Sequence, residues 1–169
     1  MDEEIDIVDA DNKVLYVTTK RQAHEQGLLH RTVISEVFDS RGRWLLIKQA
    51  ADRQDAGQYV SPIGGHARAG ETEDDALKRE ALEETGLQNF AYRLKGRVVY
   101  SREVLGRKEN HYFVLYEIQS DEPLVLNHES VSYRALTEAQ LKRELRQYPE
   151  RFGAAFIRVL EEFYPHLLA

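Results

Sequence analysis

The chain has 169 residues, 42% of them hydrophobic and 31% charged, with a net charge of -6 and no cysteine. That length supports one substantial core rather than two ordinary domains, so a single domain over 1–169 is expected. The lack of cysteine excludes disulfides, thiolate metal sites and cysteine nucleophiles.

The charge is unevenly placed. Residues 71–84 hold seven acids against two bases, five of the six net negative charges, and leave the rest of the chain near neutral. No basic tract suggests a nucleic-acid partner. No apolar run reaches membrane-spanning length and no signal peptide is recognisable, so no membrane partner and a cytoplasmic location are expected.

In chain order, residues 5–18 alternate apolar and polar around the turn at 9–13, which predicts an N-terminal hairpin within 1–20. Residues 19–27 read as a short helix closed by Gly27. Two strand-like runs, 32–38 and 44–48, flank a turn at 39–42. A polar loop covers 50–58, and 59–63 runs extended into Gly64 and Gly65. Strands are expected at 91–101 and 111–119 around a charged turn, with a last short strand near Tyr133. Thr137 and Gln140 form a capping-box signature for the first of the C-terminal helices within 137–166. Pro149 interrupts them, and Phe152, Ala155, Phe156, Val159, Leu160 and Phe163 form one apolar stripe for the core.

Residues 65–87, GHARAGETEDDALKREALEETGL, carry the chemistry. Thr72 is placed to cap a helix, with Asp75 three residues on, and Gly86 to end it. Between these limits Glu80, Glu83 and Glu84 stand at i, i+3 and i+4, so three carboxylates share one face. Arg79 is spaced to pair with Glu83 but cannot neutralise all three. A hard divalent ion, Mg2+ or Mn2+, suits such oxygen donors and also holds phosphate oxygens. The competing reading is an ordinary solvated acidic face.

The spacing G-x5-E-x7-R-E-U-x-E-E-x-G-U, where U is a bulky aliphatic, resembles the Nudix box of hydrolases that cleave organic diphosphates. Only Ala81 departs from it. The resemblance implies an α/β/α sandwich with a mixed central sheet. It also implies metal-dependent attack of water on a small-molecule diphosphate, with Glu80, Glu83, Glu84 and the Gly64 or Gly65 carbonyl around the metal. Arg79 would orient a glutamate, and Glu71 would ligate through water or anchor the helix. Glu129 is a general-base candidate outside the box. Lys48 and Gly65 are candidates for contact with the substrate phosphates.

The rest of the chain resembles the isopentenyl-diphosphate isomerase branch of the same superfamily, through IDIVDADNKV, the spacing of His24 and His30, and the Gly65-His66 pair. That branch implies a second site for a transition metal or Zn2+ at His24, His30 and His66, with its acidic pair falling on Glu109 and His111. The alternative is that these histidines are ordinary polar residues. Three departures weigh against isomerase chemistry. Gly64 stands at the cysteine position, His111 at the position of an acid, and Ala135 at that of a tryptophan. A Nudix diphosphate hydrolase is therefore expected, with an isomerase-like enzyme and a non-catalytic ligand sensor as alternatives. A monomer and a homodimer are equally compatible with the sequence.

Overall fold

The computed structural model describes residues 2–53 and 55–169. Strands β1 (Glu4–Val8) and β2 (Val14–Thr19) form the N-terminal hairpin and lead directly into α1 (Lys20–Gln26). The Thr19 hydroxyl caps α1 by accepting the Gln22 amide, and Gly27 ends it in the left-handed region. Then come β3 (His30–Phe38), β4 (Trp44–Gln49), β5 (Tyr59–Val60), β6 (Ile63–His66) and α2 (Glu73–Thr85). The long hairpin β7 (Ala91–Val104) and β8 (Arg107–Gln119) follows, then β9 (Ser130–Leu136), α3 (Glu138–Gln147) and α4 (Ala154–Phe163).

Strand β3 organises the sheet. One edge runs parallel to β8 from His30 to Phe38. Its other edge is shared by three antiparallel partners in turn: β1 at His30, β6 over Thr32 to Ser35, and β4 at Val37 and Phe38. Strand β4 continues with β9 and, briefly, β5. Successive side chains point to opposite faces, and both faces are buried. Val33, Val37, Leu45, Ile47 and Val114 pack with Ala76, Leu77 and Ala81 of α2. Ile34, Trp44, Leu46, Phe113 and Leu115 pack with α3 and with Phe156, Val159 and Leu160 of α4. The architecture is the expected α/β/α sandwich with a mixed sheet.

Three local expectations change. The runs 32–38 and 44–48 pair only next to their turn, because β6 takes over the edge of β3 beyond Glu36. The extended stretch 59–63 is two strands, broken at Ser61-Pro62 where the chain leaves β4 and joins β3. The charged turn after β7 is strand for most of its length. Leu105 and Gly106, with φ of 52° and 75°, make a two-residue connection, so Glu109 lies on β8. The cap of α2 is half of a capping box: the Asp75 amide donates to the Thr72 hydroxyl, whereas both halves form between Thr137 and Gln140.

Candidate active site and metal centres

One cleft of about 530 Å³ is bounded by the β3–β6–β8 floor, the open face of α2, Asp52, Arg53 and Asp55 after β4, and residues 127–130. It gathers Gly64, Gly65, His66, Glu80, Glu83, Glu84, Glu109, His111 and Glu129. His24 and His30 lie behind its wall, joined to it through the other histidines. Lys48 is not among the lining residues. Its neighbours Ile47 and Gln49 are, and strand alternation turns Lys48 to the opposite face, which corrects its assignment to phosphate binding.

The box is held together by Arg79. Its guanidinium donates to Glu71 twice, at 2.8 and 2.9 Å, to Glu80 at 2.7 Å and to the His66 carbonyl at 3.0 Å. The expected Glu83 contact is the longest, at 3.5 Å. Glu71 is thus committed to Arg79 and to the Arg68 amide, an anchor between loop and helix. Arg79 holds the Glu71 carboxyl below its ordinary pKa.

Two other box carboxylates, Glu80 and Glu84, are perturbed upward. Burial raises Glu80 despite the pull of Arg79. Burial and the negative charge of Glu80 raise Glu84 well above the ordinary range, with Glu129 and Glu83 adding to the effect. The Gly64 amide donates to Glu84 at 2.8 Å. Glu129 reaches Arg53 at 3.5 Å, and Asn127 ties its loop to α2 by donating to the Glu83 carbonyl. Glu80, Glu83, Glu84 and Glu129 therefore share one electrostatic neighbourhood. This oxygen donor set, destabilised by its own burial and repulsion, fits a hard divalent cation.

Beyond β6 lies a second centre. His24, His30, His66 and His111 converge so that one ring nitrogen from each lies within 4.8 Å of the others. In all four the Nε2 atom is buried without a hydrogen-bond partner, while His30 Nδ1 is bonded to the Leu28 carbonyl. Burial keeps the rings neutral. His30 falls to about 4, and His24, His66 and His111 are also lowered, chiefly by desolvation. Neutral imidazoles with unpaired nitrogens suit a transition metal or Zn2+. Glu109 flanks this set, 3.7 Å from His111 Nε2, and its other oxygen accepts from Arg102 at 3.0 Å.

Sequence reasoning missed Arg102, which also pairs with Asp55 at 3.2 Å and so ties Asp55 to β7 and β8. It also missed Ser61 and Arg53 in the cleft. Their positions depend on pairings remote in sequence, and no local pattern marks them.

A NUDIX domain model matches residues 28–156, and the chain belongs to the Nudix family. The isopentenyl-diphosphate Delta-isomerase of Serratia proteamaculans is 30% identical over 165 residues, covering 96% of this chain and 92% of that protein. A Yersinia pestis protein named an uncharacterized Nudix hydrolase is 29% identical over 101 residues, covering 59% of this chain and 55% of that protein. Among solved structures, a Deinococcus radiodurans protein superimposes with a TM-score of 0.77 at 18% identity, covering 96% of this chain and 99% of that one. The MutT protein of Methanosarcina mazei gives 0.65 at 19% identity, covering 83% and 96%. At such identities the structural likeness concerns the fold alone.

Proposed function

We propose that the protein is a Mg2+- or Mn2+-dependent hydrolase of a diphosphate linkage in a nucleotide or other organic diphosphate. The observation that carries this reading is the meeting of Glu80, Glu83, Glu84 and Glu129 in one cleft, where burial and repulsion raise Glu80 and Glu84. A divalent ion held by Glu80, Glu83 and Glu84, with a Gly64 or Gly65 carbonyl, supplies Lewis-acid polarisation of phosphate and lowers the pKa of water. Arg79 fixes the Glu80 carboxyl and spans to the β6 backbone, so helix and glycine strand keep one spacing. Glu129, outside the box but lining the same cleft, is the general base that takes the proton of the attacking water. The four histidines, with Glu109 beside them, hold a second metal of the transition or Zn2+ class.

The test is a hydrolysis screen over nucleoside di- and triphosphates, sugar nucleotides, dinucleotides and prenyl diphosphates with Mg2+ and with Mn2+. Release of phosphate or nucleotide by the wild type, and its loss in Glu84→Gln, is the expected result. No release from any substrate class would sink the hydrolase reading.

A second reading, isopentenyl-diphosphate isomerase activity, is favoured by the 30% identity to the Serratia enzyme and by the histidine cluster. Against it stand the residues at the matching positions. Gly64 and Ala135 provide neither the proton donor nor the aromatic face that the resemblance calls for.

A further inference from the structure

Glu36 occupies a position of β3 that lies between two partners, β6 and β4. Strand β6 pairs with Thr32 to Ser35 and β4 pairs with Val37 and Phe38, so the sheet forks at Glu36. The side chain is completely buried. Its Oε2 accepts a 2.6 Å hydrogen bond from Ser61, a buried residue in the break between β5 and β6 that lines the cleft. Its Oε1 has no hydrogen-bond partner, and no cation forms an ion pair with Glu36 among the described residues.

A carboxylate so placed would be a buried charge without compensation, whereas a neutral carboxyl tolerates the site. The groups facing it reinforce this. Glu117 is its register partner on β8, engaged by Arg93 from β7 and by the Tyr164 hydroxyl that follows α4. Burial, reinforced by Glu117, pushes Glu36 up to about 8.

What the fork positions is the entry to β6, and the next residues touch the box one after another. The Gly64 amide bonds Glu84, Gly65 lies against the Glu80 carboxyl, and the His66 carbonyl accepts from Arg79. We propose that Glu36, kept neutral and clasping Ser61, is a positioning residue that closes the fork and sets the Gly64–His66 segment against the box helix. Its ionisation opens the fork and withdraws that segment. The functional consequence rests on the metal-binding reading of the box; the positioning itself does not.

Two measurements separate these. Amide exchange protection at Gly64 and Gly65, corrected for the intrinsic pH dependence of exchange, reports the segment directly. Mn2+ affinity by electron paramagnetic resonance reports the box. In the wild type, both should fall several-fold as pH rises through about 8. Glu36→Gln, which keeps the shape and the acceptor for Ser61 but cannot ionise, should hold both constant there. Ser61→Ala should lower both at every pH. Protection within α3 should stay unchanged throughout, which separates positioning from general loss of stability. Equal alkaline behaviour in the wild type and Glu36→Gln would overturn the proposal, as would full protection in Ser61→Ala. Absence of Mn2+ binding with the exchange pattern intact would remove the box reading and leave the positioning role standing.

Discussion

Gly65 and Glu80 share a space that admits no methyl group: a Cβ built on Gly65 would sit 2.3 Å from the Glu80 carboxyl carbon. The glycine is needed here for close approach rather than for a special backbone angle. A carboxylate pressed onto backbone leaves that strand's carbonyls within reach of whatever the carboxylate holds.

Gly65→Ala should therefore displace Glu80 and weaken divalent-ion binding at least tenfold, while the core of the sandwich survives. Mn2+ titration by electron paramagnetic resonance, beside a thermal melt, checks this. Unchanged affinity would mean that Glu80 is not a ligand.

For the reaction itself, Glu83→Gln and Glu84→Gln should lower turnover by several orders of magnitude, with little change in melting temperature. Glu84 tests this more cleanly, because its burial is unfavourable in the ligand-free protein. Its neutral replacement should leave the fold as stable or more so. Near-normal rates in both variants on a good substrate would show that the box glutamates are misassigned.

Much of this helix was legible in the sequence because its signals are local. Thr72 caps it, Gly86 ends it with φ of 72°, and Glu80, Glu83 and Glu84 lie on one face as their spacing requires. The histidine cluster was only partly legible. His24, His30 and His66 matched a family pattern and His111 stood at the place of its acid, but that His111 meets them as a fourth imidazole follows from its parallel register with His30, set by strand pairing across the sheet. Glu109 lay in an expected turn because nothing marks Leu105 as a residue of positive φ. The fork at Glu36 was not legible at all. The run 32–38 reads as one strand, and which partner covers which part of its edge depends on residues up to 34 positions away.

The imidazole site predicts a metal content. Protein purified without a histidine tag should carry close to one equivalent of zinc or another transition metal, and His24→Ala with His66→Ala should remove it. Elemental analysis gives the answer. Metal-free protein, together with unaltered stability in the double variant, would leave four histidines with buried, unpaired ring nitrogens and no second metal.

The Glu71–Arg79 pair predicts a pH dependence of stability. Arg79 lowers the folded-state pKa of Glu71 below its ordinary value of 4.5. Its contribution is therefore fully present above that value and is lost as pH falls through the lower folded-state pKa. Glu71→Gln should cost roughly 1–2 kcal/mol near neutrality, the low end for a partly solvated, charged hydrogen-bond pair. The gap between variant and wild type should close in acid. Urea unfolding over a pH series measures it, and a gap that persists at the acid end would show that Glu71 stabilises by packing rather than by charge.

Isomerase activity is expected to be absent, despite the likeness to enzymes of that name. Proton addition to an unactivated alkene needs an acid at the reacting carbon, and the tertiary cation that results needs an electron-rich face. Gly64 has no side chain to donate a proton. Ala135 lies half-buried against the hydrophobic core and offers no aromatic ring. His111, the remaining group at a matching position, is held neutral by burial, so at neutral pH it is a poor proton donor. It is also turned toward the other three imidazoles, with one of its ring nitrogens among theirs. Incubation with isopentenyl diphosphate and Mg2+ in deuterated water should give no enzyme-dependent deuterium in dimethylallyl diphosphate. Incorporation that disappears in His111→Ala would make this chain an isomerase with a histidine acid, and the hydrolase assignment would have to be given up.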